Sequence, residues 1–321
     1  LATHKAHLDS KATWIGYDIA HEDGQVTVSI KESFLTELKE TTTEILKHNL
    51  VSIRKLRSYT GRANHVANLL FGWRPFLDSL WAAVSQPAQP IKGPVRHNKR
   101  GKQRTRRSKA PKGMIWTKQV QDSLRWIRRF LCHHHGPLHR SWDFDEFDGS
   151  RGSISIYLDA SPWGLGGVIL INGAIYSWFQ SRLTRCDEKI HQRSIGDCKG
   201  QQVWECLAVL VALRIWRDIW TSKKCDITIK SDNMSALAMG ARMKIKSSSL
   251  IAREIALIYS EAAFEPRVFE HVPGITNTIA DALSRLHEPM SGYVLPPQLA
   301  NIKETSVPVR RRGWYSSLAT V

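Results

Sequence analysis

Residues 153–161, Ser-Ile-Ser-Ile-Tyr-Leu-Asp-Ala-Ser, constrain the chain most. Ile154, Ile156 and Leu158 alternate with Ser153, Ser155 and Tyr157, and a carboxylate, Asp159, closes the run. A strict period of two over this length is a strand with one strongly apolar face. Residues 162–167, Pro-Trp-Gly-Leu-Gly-Gly, turn the chain; residues 168–171 are a second apolar run, and Asn172-Gly173 is a two-residue hairpin signal into residues 174–179. Asp159 therefore stands on a β-meander. Taken alone, an aspartate there reads as a turn or capping residue.

The chain beyond the meander gives Asp159 another reading. Residues 201–216 are apolar nearly all round, which predicts a helix buried on most sides. Glu205 is the one acid within it, and an ionised carboxylate in such a place is costly unless it is paired with an arginine or bound to a metal. Residues 225–230 alternate as a strand again and run into Ser231-Asp232-Asn233. Strand, long helix, strand is a crossover unit, so the second strand is expected beside the first and parallel to it, with Asp232 ending next to Asp159. Asp226, earlier on that strand, is expected to face solvent. After a basic connection over 241–246 come a helix over 249–262, a short strand over 267–272, and a last helix that Asn277 can cap, with Asp281 on its flank.

The preceding part is of another kind. Residues 12–19 and 25–30 read as a β-hairpin, and 31–50 and 53–70 place apolar residues at helical spacing. Arg54, Arg57 and Arg62 share the second of these helices, either as a solvated face or as nucleic-acid contacts. Residues 91–112 hold ten Lys and Arg and no acid, with Pro and Gly interspersed, a composition expected of a flexible linker. An amphipathic helix over 116–131 follows. Net charge matters here: the 321-residue chain carries +17, which points to a polyanionic partner, nucleic acid first. No apolar run reaches the length of a membrane span, so no membrane partner is expected and the location is expected to be intracellular, cytoplasmic or nuclear. Five cysteines without paired short spacing give no zinc site and no disulfide framework. The chain opens on Leu1 and is expected to be a piece of a longer protein.

Four acids, Asp159, Glu205, Asp232 and Asp281, thus lie in the order strand, helix, strand, helix. Such a cluster of hard oxygen ligands suits divalent ions that hold the attacking water and the leaving oxygen of a phosphodiester. The phrases Tyr-Leu-Asp-Ala-Ser (157–161), Trp-Glu-Cys-Leu-Ala (204–208), Lys-Ser-Asp-Asn (230–233), and His-Val-Pro-Gly (271–274) leading to Asn-Thr-Ile-Ala-Asp-Ala-Leu-Ser-Arg (277–285) resemble the ribonuclease H domain of retroelement polyproteins. The resemblance covers about 153–287. More weakly, residues 12–84, ending in Arg-Pro-Phe-Leu (74–77), resemble the part of a reverse transcriptase that follows its palm. Gypsy-like and DIRS-like retrotransposons look nearest.

The resemblance implies an α/β fold: a ribonuclease H-like mixed five-stranded sheet with helices over 151–287, preceded by a small α-rich thumb-like module over 1–86. A basic linker and connecting helix over 87–150 and a flexible tail over 288–321 complete the expected organisation. It implies two magnesium ions, for which manganese can substitute, held by Asp159, Glu205, Asp232 and Asp281, and cleavage of the RNA strand of an RNA–DNA hybrid. Nucleic-acid contacts are expected from Asn233, Arg242, Lys244, Lys246, Arg54, Arg57 and Arg62, and the polymerase palm and fingers of the same polyprotein are expected as partners. The loop over 273–277 is short and lacks the histidine that cellular ribonucleases H carry there; His271 precedes the turn and is no obvious substitute. No paired-aspartate polymerase motif occurs, so no DNA synthesis is expected. The competing reading is a catalytically inactive nucleic-acid-binding module of the same fold. An integrase or transposase would place its glutamate third among the acids, whereas here it comes second.

Overall fold

A computed structural model describes residues 10–85, 91–97, 103–108, 110–146, 148–243, 249–290 and 292–318. The chain forms two compact units that divide at residues 20/21, 27/28 and 140/141. Among the described residues no helix is long and apolar enough to cross a membrane.

The first unit is built on helices Glu32–Lys47, Ile53–Leu69, Arg74–Ser85 and Gln121–Leu131. Their apolar stripes supply its core, in which Leu38, Leu56, Tyr59, Val66, Phe76, Leu80, Leu124 and Ile127 are all buried. Ser52 caps the second helix by accepting from the Lys55 amide at 3.1 Å. Three local expectations are corrected. The first strand of the predicted hairpin is broken in two, Lys11–Trp14 pairing with Tyr17–Glu22, because Ile15 and Gly16 both take positive φ. The helix expected from residue 116 starts only at Gln121, since Met114–Trp116 is drawn into an antiparallel pair with Leu50–Ser52. Within the expected linker, Ile91–His97 and Gln103–Ser108 pair as an antiparallel hairpin: backbone pairing needs no apolar side chains, so composition alone does not exclude it.

The second unit is a mixed α/β layer structure. Strands β1 (Ser153–Ala160), β2 (Gly164–Ile171) and β3 (Ala174–Arg182) form the antiparallel meander, turned between β2 and β3 by Asn172 and Gly173 at positive φ. Helix α1 (Arg185–His191) follows, then α2 (Gln201–Ile215), α3 (Arg217–Lys223), β4 (Asp226–Ser231), α4 (Met234–Arg242), α5 (Ser249–Ala262), β5 (Val268–His271) and α6 (Thr278–Arg285). β4 lies parallel to β1, and β5 parallel to β4, so the five-stranded sheet runs β3-β2-β1-β4-β5.

Alternation sorts the residues between the two faces. Ile154, Ile156 and Leu158 are buried on the side that takes α2, whose residues 203–213 are buried throughout. The opposite face, with Tyr157, Val168 and Trp178, packs Leu283 and Ile279 of α6. That helix comes unusually close. A Cβ added at Gly166 would lie 2.5 Å from Ala280 O and Ser284 N, and one at Gly164 would lie 2.6 Å from Ser284 O. The two glycines are thus a seat for the α6 backbone, which is how the last helix reaches the end of β1.

The expected flexible tail is also corrected. Leu299 is fully buried against Val168, Trp178 and Leu283. The Thr305 amide donates to Trp178 O at 2.7 Å, and Ser177 Oγ donates to Lys303 O at 2.8 Å. Arg310, 2% exposed, donates to both carboxylate oxygens of buried Asp187 at 2.8 and 3.0 Å. The amides of Ser316 and Ser317 donate to buried Glu254 at 2.9 and 2.6 Å, and Arg214 pairs with the same carboxylate at 2.7 Å. Prolines and arginines suggest a solvated segment, yet Arg310 and these amides have partners more than 60 residues away in sequence.

Candidate carboxylate metal site

The parallel register sets Lys230 beside Tyr157, so two residues later Asp232, just past the end of β4, falls beside Asp159. Glu205, on the first turns of α2, reaches the same sheet end. Asp159, Glu205 and Asp232 each bring a carboxylate oxygen within 4.8 Å of the others. The first two are buried, at 5% and 4% exposure, while Asp232 is exposed. Asp226 is exposed as expected, 3.7 Å from Arg267.

Burial dominates the electrostatics. It pushes the Asp159 carboxyl up to about 7, with the charges of Asp232 and Asp281 adding to the rise and a hydrogen bond from Ser284 Oγ opposing it. Burial also holds Glu205 well above the usual carboxylate range, and Asp159 raises it further. The arginine partner that would have made Glu205 an ordinary buried ion pair is absent among the described residues. Its Oε1 accepts from Gln201 Nε2 at 2.8 Å, and Gln201 Nε2 also donates to Ala160 O. Glu205 Oε2 is buried with no hydrogen-bond partner. Three carboxylates packed together, one with an orphaned oxygen, repel one another and invite a cation. With no Cys or His in the cluster, the donor set fits a hard divalent cation of the magnesium or manganese kind.

Asp281 lies outside that cluster. Its Oδ1 accepts from Arg285 Nε at 2.6 Å, an i,i+4 pair along α6, although its charge still acts on Asp159. Asn277, expected to cap α6, makes no capping bond; its Nδ2 donates to Leu158 O at 2.9 Å and so ties the loop to β1.

The other expected contact residues are dispersed. Asn233 Oδ1 accepts from the Ser235 and Ala236 amides at 3.0 Å each, which commits that oxygen to capping α4. Arg242 is exposed at the end of α4, and Lys244 and Lys246 lie outside the described residues. In the first unit Arg54 and Arg57 are exposed, whereas Arg62 is paired with Glu37 and donates to Thr41 at 3.3 Å. Two residues near the carboxylates escaped the sequence reading. Gln201 stands four positions before Glu205, the helical spacing that lets it reach that carboxylate. Ser284 carries no comparable signal, because its partner Asp159 is 125 positions away.

No family model matches the chain, and no curated protein matches it. Among solved structures it is similar to ribonuclease H1 from the halophilic archaeon Halobacterium salinarum NRC-1, at 20% identity over 41% of this chain and 94% of that one, with a TM-score of 0.30. It is also similar to the foamy viral protease-reverse transcriptase in complex with RNA/DNA hybrid, at 15% identity, 83% and 30% coverage and a TM-score of 0.30. The dRH form of that protein in complex with double-stranded DNA gives 16% identity, 83% and 38% coverage and a TM-score of 0.29. The chain therefore spans about a third of the viral protein's length. The second unit's fold is mixed α/β, with the five-stranded sheet expected from the sequence.

Proposed function

We propose that the chain hydrolyses the RNA strand of an RNA–DNA hybrid in the presence of magnesium, as the ribonuclease H part of a retroelement reverse transcriptase. The observation that carries this reading is the meeting of Asp159, Glu205 and Asp232 at one sheet end, two of them buried and Glu205 Oε2 unpartnered. Asp159, Glu205 and Asp232 would hold the cations, with Asp281 as the fourth carboxylate. A divalent ion held by these carboxylates would supply Lewis-acid chemistry, lowering the pKa of a water and neutralising charge on the phosphate. The chain's own residues do the rest. Gln201 fixes Glu205 by its amide, and Asn277 ties the loop before α6 to the strand that bears Asp159. The net charge of +17 favours a polyanionic substrate. The gypsy-like or DIRS-like origin, the polymerase palm and fingers as partners, manganese as a substitute ion, and a cytoplasmic or nuclear location belong to the same proposal.

A matched pair of variants tests it. Asp232→Asn keeps the size of the side chain and one acceptor oxygen but removes its charge, so single-turnover cleavage of a hybrid in magnesium should fall by orders of magnitude while hybrid affinity is retained. Asp226→Asn, on the same strand but away from the cluster, should cleave like the parent. Full activity in a folded Asp232→Asn protein would remove the role given to that carboxylate. A parent protein that binds hybrid and never cuts it would make the chain a binding module.

A further inference from the structure

We infer that Ser284 is a positioning residue for the cation site, acting through Asp159; the inference rests on the divalent-ion reading above. Its side chain is fully buried, and its Oγ donates to Asp159 Oδ2 at 2.6 Å. The same Oγ lies 2.9 Å from Asp281 O. One hydroxyl has one proton, and a carboxylate is a stronger acceptor than a peptide carbonyl, so the proton belongs to Asp159. With Oδ2 held, turning the Asp159 carboxylate about its last bond breaks this hydrogen bond, so its free lone pairs favour one direction.

Ser284 is itself held from the sheet side. Ser161 Oγ donates to Ser284 O at 2.8 Å and accepts from the amides of Trp163 and Gly164 at 3.1 and 3.0 Å, which uses its one proton and both lone pairs. Gly164 and Gly166 lack the Cβ atoms that would push α6 away. The turn after β1 therefore fixes the last turn of α6, and α6 returns a hydroxyl to the carboxylate that ends β1. This ring of interactions runs through the end of β1, the turn into β2, and α6. Outer partners of this kind typically affect metal affinity by about 10–100-fold.

The experiment measures manganese binding to the whole chain without nucleic acid, by the loss of the free-ion electron paramagnetic resonance signal, in the parent, Ser284→Ala and Ser284→Cys. The cysteine variant keeps the side chain's reach with a weak donor, so it remains informative if the alanine variant does not fold. Thermal unfolding in EDTA is recorded alongside. The expected result is a manganese Kd raised about 10-fold or more in both variants, with the magnesium needed for half-maximal hybrid cleavage raised in step. A purely packing role would lower the EDTA melting temperature and leave the Kd alone. Unchanged manganese affinity in a folded variant would overturn the assignment of Ser284 while leaving the function standing. Failure of the parent itself to bind manganese would instead overturn the divalent-ion reading on which it rests.

Discussion

Glu205→Gln removes one charge from the carboxylate cluster and leaves the shape of the side chain unchanged. Without metal, that charge is a burden on the folded state. Unit charges no more than 4.8 Å apart at an effective dielectric constant of about 20 repel by about 3.5 kcal/mol or more. Partial protonation relieves some of this near neutral pH, since the Asp159 carboxyl is pushed up to about 7. In the variant, Oε1 can still accept from Gln201, and the new amide N–H stands near Asp159. A net stabilisation of about 1–3 kcal/mol at pH 8 in EDTA is expected, or about 2–10 °C in melting temperature for a unit of this size. The pH dependence has a definite sign. Folding raises the Asp159 value above its ordinary 3.8, so this group's contribution to stability is greatest below about 4 and is lost as pH rises through about 7. The advantage of Glu205→Gln should therefore be small near pH 5 and full at pH 8. Magnesium should reverse the ranking by stabilising the parent and not the variant. Urea unfolding at both pH values, with and without magnesium, measures all four cases. A folded variant less stable than its parent at pH 8 in EDTA, or a difference independent of pH, would refute the electrostatic account.

Two further predictions concern parts remote from the carboxylates. Arg310→Ala leaves Asp187 buried without its guanidinium partner, so unfolding free energy should drop by about 3–5 kcal/mol; a change under 1 kcal/mol in urea titrations would show that the tail's ion pair is dispensable. Replacing the ten Lys and Arg of residues 91–112 by Gln should weaken hybrid binding and reduce its salt slope, by about 0.9 for each phosphate no longer neutralised. An unchanged slope in fluorescence anisotropy between 50 and 300 mM salt would make that stretch a spacer.

The sheet was legible because its signals are local. Ile154, Ile156 and Leu158 carry the period of two, the apolar helix over 201–216 requires a buried crossover, and together they set β4 beside β1 and Asp232 beside Asp159. What escaped depends on long-range packing. Gly164 and Gly166 read as turn residues, and only the closeness of α6 shows them as its seat. Ser284 reads as one polar position of a helix until Asp159 is seen beneath it. The tail reads as solvated because Arg310 is charged; its neutralising partner, Asp187, lies 123 positions earlier. Asp281 is expected in the cluster by its resemblance, but the local i,i+4 attraction to Arg285 holds one of its oxygens.

The most direct test of the proposed activity is a strand-specific cleavage assay with the parent chain. One RNA strand, labelled at its end, is presented in a hybrid with DNA and in a duplex with RNA; the corresponding labelled DNA strand is presented in a DNA duplex; each is incubated with magnesium or with EDTA. A ribonuclease H built on these carboxylates should make internal cuts in the RNA of the hybrid alone, only with magnesium, and not after Glu205→Gln. Cutting that persists in EDTA, falls equally on the DNA duplex, or survives Glu205→Gln would contradict it.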